Sequence, residues 1–260
     1  MTTFDGEVAL VTGAAGGIGA EICRAFRAAG ARVALVDVNE GALASLAASL
    51  GNESQVAIFV ANLADDAQAA ALPERVHAHF GALDFLVNNA GIRNIASMLD
   101  LSIEDWRRTL DVDLTAPFVL SRAAIPLMMT QGRGKIVNIS SMAGHAAFPN
   151  RPAYSAAKAG LLMLTRCTAV EFGHRGIWCN AILPGVVETP MTSVYVRDEA
   201  MAASIHENTP LGRWAQPDEI AAPVLFLCGR ESDFINGTNL IVDGGWTAGY
   251  RAAQLAPTRR

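Results

Sequence analysis

The run 153–160, AYSAAKAG, sets a tyrosine and a lysine four residues apart. On a helix that spacing stacks Tyr154 and Lys158 on one face, with Cβ atoms about 5–6 Å apart. A free phenol titrates at ~10 and is a poor base near neutrality. An ammonium ~4 Å away, at an effective dielectric of ~20, favours the phenolate by on the order of 4 kcal/mol, about three pKa units. Water between the two lowers that figure. A phenol tuned in this way works as a general base near neutral pH. The competing reading is an exposed helix pair without a function, and the rest of the chain decides between them.

A second group of residues makes an anion cradle. Positions 11–20 read VTGAAGGIGA, after a short apolar run and before an amphipathic one. Gly13, Gly16, Gly17 and Gly19 let backbone N–H groups approach a pyrophosphate, and the dipole of the following helix favours its charge. Ala15 and Ile18 complete the turn with uncharged side chains. Asp37 ends the next apolar run, 18 residues after Gly19. A carboxylate there can accept from both ribose hydroxyls of an adenosine and repels a 2′-phosphate. Neighbouring Val38 supplies no compensating cation. These residues point to a dinucleotide, and to NAD over NADP. A cap on the helix beginning at NEGAL is the competing role for Asp37.

These residues need a scaffold that brings them together. Apolar runs at 7–12, 32–37, 55–60, 83–88, 135–140, 177–183 and 239–243 read as buried strands. Helical patterns lie between them near 17–30, 40–50, 65–80, 103–131, 153–173 and 217–229. The alternation predicts right-handed βαβ units in an α/β fold: a Rossmann-like, doubly wound, seven-stranded parallel sheet with helices on both faces. No repeat or linker divides the chain, so one domain is expected over 1–260. Within it, 186–212 reads as an irregular substrate lid and 250–260 as a polar tail.

Composition narrows the function. Half the residues are hydrophobic (51%) and the net charge is −5 with no basic block, which argues against nucleic acid and anionic membrane as partners. Cys23, Cys167, Cys179 and Cys228 form no CxxC pair, and neither they nor the five histidines show metal spacing. Reduced thiols, no metal and a cytoplasmic location are therefore expected. The first basic residue is Arg24, too late for a signal peptide, and no run reads as long enough to span a membrane.

The turn Thr12-Gly13-x-x-x-Gly17-Ile18-Gly19, the NNAG at 88–91 and Tyr154-x-x-x-Lys158 stand in a specific order and spacing. In this the chain resembles the short-chain dehydrogenase/reductase family, from Val8 to Gly245. The resemblance implies an NAD-dependent oxidoreductase that interconverts a secondary alcohol and a ketone or aldehyde by hydride transfer. Tyr154 would exchange the proton, and Lys158 would also bind the nicotinamide ribose, whose oxidised ring adds a second positive charge. Ser141, 13 residues before Tyr154, takes the place of the hydroxyl that hydrogen-bonds the reacting oxygen. A hydroxyl can donate to a developing alkoxide and still accept. Adjacent Ser140 would face the other side of its strand. By the same likeness Asn89, Ala90 and Gly91 lie on the cofactor side, with Asn88 structural. Pro184, Gly185, Val187 and Thr189 surround the carboxamide, and Asn62 and Leu63 lie near the adenine. Residues 235–246 are expected to be structural and near an oligomer contact, and helices 103–131 and 153–173 to pair into a homotetramer.

Two positions depart from the family pattern. In WRRTLDVDLTAPF, Asp113 replaces the usual catalytic asparagine and Ala116 a glycine. Aspartate can accept hydrogen bonds and bend a helix, but it donates none and adds a negative charge beside the lysine. It is carried as the fourth catalytic residue. Asn62 replaces an aspartate and can accept the same hydrogen bond.

Substrate contacts are expected on loops beyond the strand C-termini: Arg93, His145, Arg151 and Val186, with Ser141 and Tyr154. The cationic groups suit a hydroxylated or anionic substrate such as a sugar or sugar acid. Met142, Phe148, Met191 and Tyr195 suit a cyclic alcohol or ketone. A 3-oxoacyl-thioester reductase and a catalytically retired NAD-binding protein stand as alternatives.

Overall fold

The computed structural model describes residues 3–51, 54–196 and 198–249. The 250–260 tail lies outside the described residues. The strands are β1 Val8–Thr12, β2 Arg32–Asp37, β3 Val56–Val60, β4 Phe85–Asn88, β5 Gly134–Ile139, β6 Ile177–Pro184 and β7 Asn239–Val242. They form one parallel sheet in the order β3-β2-β1-β4-β5-β6-β7. The helices are α1 Gly17–Ala28, α2 Glu40–Leu50, α3 Asp66–Phe80, α4 Ile103–Gln131, α5 Pro152–Phe172, α6 Ser193–Val196, α7 Glu199–Asn208 and α8 Asp218–Cys228.

Side-chain alternation explains the two layers. In β1, Ala9 and Val11 pack with Ile22 and Phe26 of α1 and Val224 of α8, while Val8 and Leu10 pack with Leu72 and Val76 of α3 and Leu120 of α4. All five β1 residues are buried, as a strand covered on both faces requires. From β1 the chain winds outward to β3, then returns past β1 to β4 and winds the other way to β7. At that reversal the loops leaving β1 and β4 diverge and open a crevice beyond the strand C-termini. The glycine turn, residues 89–96, Ser140–Ser141 and residues 185–192 all meet there.

Three features depart from the sequence reading. First, α4 is not uniform, because a single π turn, Asp111–Thr115, interrupts it and buries Asp113. Second, the 186–212 segment is not irregular. A 3₁₀ turn at Pro190–Thr192 leads into α6, and Asp198 caps α7 by accepting from the Met201 amide. The capping aspartate outweighs the weak amphipathicity that made this stretch read as loop. Third, α4 contains an 18-residue window of mean hydropathy 1.3, long and apolar enough to meet the criterion for a membrane crossing, contrary to expectation. Much of that apolar surface faces the protein: 44% of the window is buried, and Leu120, Ala124 and Met128 lie in the core beside α3.

Candidate active site

The crevice is a cavity of about 470 Å³, a size typical of ligand pockets. Its phosphate end is built by backbone. Gly13 has φ +64°, and a Cβ there would lie 2.8 Å from Ala90 Cα, so only glycine lets β1 turn this closely against the β4 loop. No side chain caps the N-terminus of α1, whereas Asn39 and Asp65 cap α2 and α3. Gly16, Gly17 and Ile18 at that open helix end line the cavity. Uncapped amides at a positive helix end fit a pyrophosphate. Asp37 borders the same end, its carboxylate accepting from the amides of Ala15 (3.2 Å) and Asn39 (3.1 Å). These residues fit a dinucleotide.

At the other end, Lys158 Nζ lies 5.6 Å from the centroid of the Tyr154 ring and donates to the Ile139 carbonyl at 3.1 Å. Its ammonium is 3.2 Å from Asp113 Oδ2, and both side chains are almost completely buried. Asp113 Oδ1 accepts from the Ile92 amide at 2.8 Å, while Oδ2 has no aligned hydrogen bond, so the contact with Lys158 is one of charge. An added Cβ at Gly91 would lie 2.9 Å from Asp113 Oδ2 and 3.3 Å from Lys158 Nζ; the missing side chain makes room for the pair. Burial resists the ammonium, but the negative charges of the Asp113 carboxylate and of Tyr154 in its phenolate form outweigh it and raise Lys158 above the ordinary lysine range. Burial likewise raises the Asp113 carboxyl, against the pull of Lys158 and the Ile92 amide.

Ser141 Oγ accepts from the Ala143 amide at 3.1 Å, capping a 3₁₀ turn and leaving its hydrogen free for a ligand. Ser140 donates instead to the Lys158 carbonyl at 2.9 Å. Asn88 is buried and donates to Asn138 at 2.8 Å. Asn89 lines the cavity, but its amide donates to the carbonyls of Thr12 and Gly13, bracing β1 against β4.

Most of the expected residues gather in this one cavity: Gly13, Gly17, Ile18 and Asp37 at one end, Asn89, Ala90 and Gly91 along the floor, Ser141, Tyr154 and Lys158 at the other end. Pro184, Gly185, Val186, Val187 and Thr189 form one wall, and Arg93 and Arg151 stand near Tyr154. Six expected residues are not on its lining, among them Asp113, which lies behind Lys158. Ala15 meets Asp37 through its backbone, and Gly19 packs so tightly on the Gly13 carbonyl that a Cβ would lie 2.0 Å from it. Asn62 is exposed, its side-chain oxygen taken by the Ala64 amide, and Leu63 is buried in the core. His145 is exposed on the turn after Ser141. The lining includes Met201 and Ile205, from the segment expected to form the substrate lid, and adds Trp246, which sequence reasoning did not place at the site. Trp246 was read as structural, yet it lies 6.1 Å from Phe148 across the cavity mouth. Among the described residues, no cluster of three or more His, Cys, Asp or Glu could hold a metal ion.

Comparison with known proteins places the chain. Residues 13–247 match a family model described as enoyl-(acyl carrier protein) reductase. The chain is 41% identical to a D-threitol dehydrogenase of Mycolicibacterium smegmatis, over 94% of each sequence. It is 42% identical to a trans-4-hydroxycyclohexanecarboxylate dehydrogenase of Sinomonas cyclohexanicum, over 96% of each. A gluconate 5-dehydrogenase from Burkholderia cenocepacia, in complex with NADP and tartrate, superposes with a TM-score of 0.91 at 36% identity, covering 95% of this chain and 98% of that one. The chain belongs to the short-chain dehydrogenase/reductase family. It is a dehydrogenase fold built for a nicotinamide dinucleotide and small alcohol substrates.

Within this short-chain dehydrogenase the Asp113 carboxylate is the first of the neighbours that hold the Lys158 ammonium charged against its burial. Replacing it by asparagine removes the counter-charge and keeps an acceptor for the Ile92 amide. In Asp113→Asn the Lys158 ammonium loses the charge that raises it, so the alkaline limb of the pH profile for alcohol oxidation is expected to move to lower pH. The plateau rate should change by less than about tenfold. Steady-state kinetics across pH checks this; an upward shift, or a hundredfold gain at the plateau, contradicts it.

Proposed function

We propose that the protein is an NAD-dependent dehydrogenase of a secondary alcohol, a polyol or cyclic alcohol, working reversibly on the corresponding ketone. The observation that carries this reading is a single cavity with an unpaired helix N-terminus and Asp37 at one end and Ser141, Tyr154 and Lys158 at the other. A nicotinamide dinucleotide bound there supplies the hydride acceptor or donor. Tyr154 takes the proton from the substrate hydroxyl, or returns it to the carbonyl oxygen. Ser141, its acceptor side held by the Ala143 amide, donates its hydrogen to the same oxygen as charge develops. Lys158, anchored by Asp113 and the Ile139 carbonyl, presents its charge to the phenol and a donor to the nicotinamide ribose.

The choice of NAD rests on Asp37, whose carboxylate disfavours a 2′-phosphate, and on the absence of a cation at exposed Val38 beside it. The gluconate 5-dehydrogenase relative was seen with NADP, so this is the point where the chain is proposed to differ. The names of the relatives span polyols and cyclic alcohols, which matches the substrate classes proposed here. We read 1–260 as a single catalytic domain. The four thiols are free, which suits the reducing cytoplasm.

Reduced-nicotinamide absorbance, followed with a panel of polyols and cyclic alcohols, tests the reading. NAD should exceed NADP in kcat/KM by at least about tenfold, equivalent to ~1.4 kcal/mol. Asp37→Ser should close that gap, and Tyr154→Phe should lower kcat by at least about a hundredfold. A preference for NADP, or full activity in Tyr154→Phe, contradicts it.

The outer faces of α4 and α5 carry exposed Phe118, Met163 and Val170, and the proposed assembly is a homotetramer that covers them. Light scattering should give about four times the chain mass of 27.4 kDa; a monomer at micromolar concentration contradicts it.

A further inference from the structure

Two arginines converge on the substrate end of the cavity with no carboxylate between them. Arg93 comes from the loop after β4, Arg151 immediately precedes α5, three residues before Tyr154, and Tyr195 reaches in from α6. Arg93 Cζ lies 4.8 Å from the Tyr195 ring centroid and Arg151 Cζ 5.6 Å from the same centroid. Arg151 Nη2 donates to the Tyr195 hydroxyl at 2.6 Å, and Arg93 Nη2 to the Met191 carbonyl at 2.7 Å.

What these groups lack is as informative. The Nε–H of each guanidinium is buried with no hydrogen-bond partner, and among the described residues neither arginine forms an ion pair. Arg133 and Arg213, by contrast, have acidic partners, Asp233 at 2.7 Å and Glu219 at 2.6 Å, while Arg32, whose Nε is also unpaired, donates its two terminal nitrogens to the carbonyls of Phe80 and Gly6 away from the cavity. A buried donor without an acceptor is costly, more so when charged. Burial lowers Arg93 below the ordinary arginine range, Arg151 adds to that by repulsion, and Tyr195 and Tyr154 oppose it. A simple latch holding α6 needs one arginine on the tyrosine, whereas two unneutralised ones facing the same space make a site for an anion. Guanidinium forks match carboxylate geometry and hold it in a fixed orientation.

The rest of the lining at this end is mainly apolar, from Phe148, Met191, Met201, Ile205 and Trp246, with the Phe148 ring centroid 5.6 Å from Arg151 Cζ. Thr192 Oγ, which also borders the cavity, already donates to the Val187 carbonyl. We propose that Arg93 and Arg151 together bind a carboxylate on the substrate, so that the alcohol presented to Tyr154 belongs to a hydroxycarboxylate with an apolar, alicyclic body. This deepens the dehydrogenase reading and rests on it for the reaction, though not for the binding.

The test uses the full chain saturated with NAD and two probes without a hydroxyl, cyclohexanecarboxylate and its neutral counterpart cyclohexanecarboxamide. Calorimetry should show the anion binding at least about tenfold tighter than the amide. Arg93→Met and Arg151→Met should each weaken the anion by at least about tenfold, and change the amide by less than about threefold, with NAD affinity retained. Arg151→Lys should recover part of the anion binding. Equal affinity for the two probes, binding of neither, or equal losses of both in the variants overturns the proposal. The wild-type ratio decides even where a variant fails to fold. Failure of the dehydrogenase reading would show separately, as no NAD reduction with any alcohol while the carboxylate still binds.

Discussion

The lysine one helical turn from Tyr154 is buried, and a buried ammonium needs a partner. Lys158 has one in Asp113, 3.2 Å away on another helix, and much of the surrounding structure makes that contact possible. A π turn in α4 turns Asp113 inward, Gly91 carries no side chain to keep the charges apart, and the Ile92 amide holds the second carboxylate oxygen. A π turn commonly marks a functional position in a helix, and here it changes which side chain faces the core. Desolvating two charges is costly and their attraction repays it only in good geometry, so each partner depends on the other being in place.

The two ends of the cavity carry different kinds of chemistry. At the proposed cofactor end the lining is mostly backbone: a glycine turn, an uncapped helix end and one carboxylate. At the proposed substrate end it is side chain: a serine whose acceptor is already occupied, a phenol beside the lysine, two arginines and several apolar groups. The sheet reversal between β1 and β4 brings both sides to the same crevice, because consecutive βαβ units on either side of that point deliver their loops to one edge.

What could be read from the sequence depended on distance along the chain. Among the described residues, the seven strands and six of the eight helices follow from apolar alternation, and Tyr154 with Lys158 follows from one helical turn. Ser141 and the glycine turn could likewise be located, since each is tied to a strand end. Asp113 was legible, through the family pattern, as a negative charge beside Lys158; that the two make a direct buried ion pair was not, because the contact spans 45 residues and depends on a π turn that periodicity does not encode. Asn62 was placed by family likeness and His145 by its loop beyond a strand end, while local turn hydrogen bonding at the one and exposure of both keep them off the cavity lining. Trp246 and the convergence of Arg93 and Arg151 on Tyr195 were out of reach, since each joins segments far apart in the chain.

The interdependence of Asp113 and Lys158 is measured most directly by a double-mutant cycle on stability. Unfolding free energies from denaturant melts of the wild type, Asp113→Asn, Lys158→Met and the double variant suffice. Each single substitution should cost on the order of 3 kcal/mol. The double variant should be more stable than the sum of the singles by at least about 2 kcal/mol. Additivity to within about 0.5 kcal/mol would mean that the two groups do not hold each other, and would contradict the account.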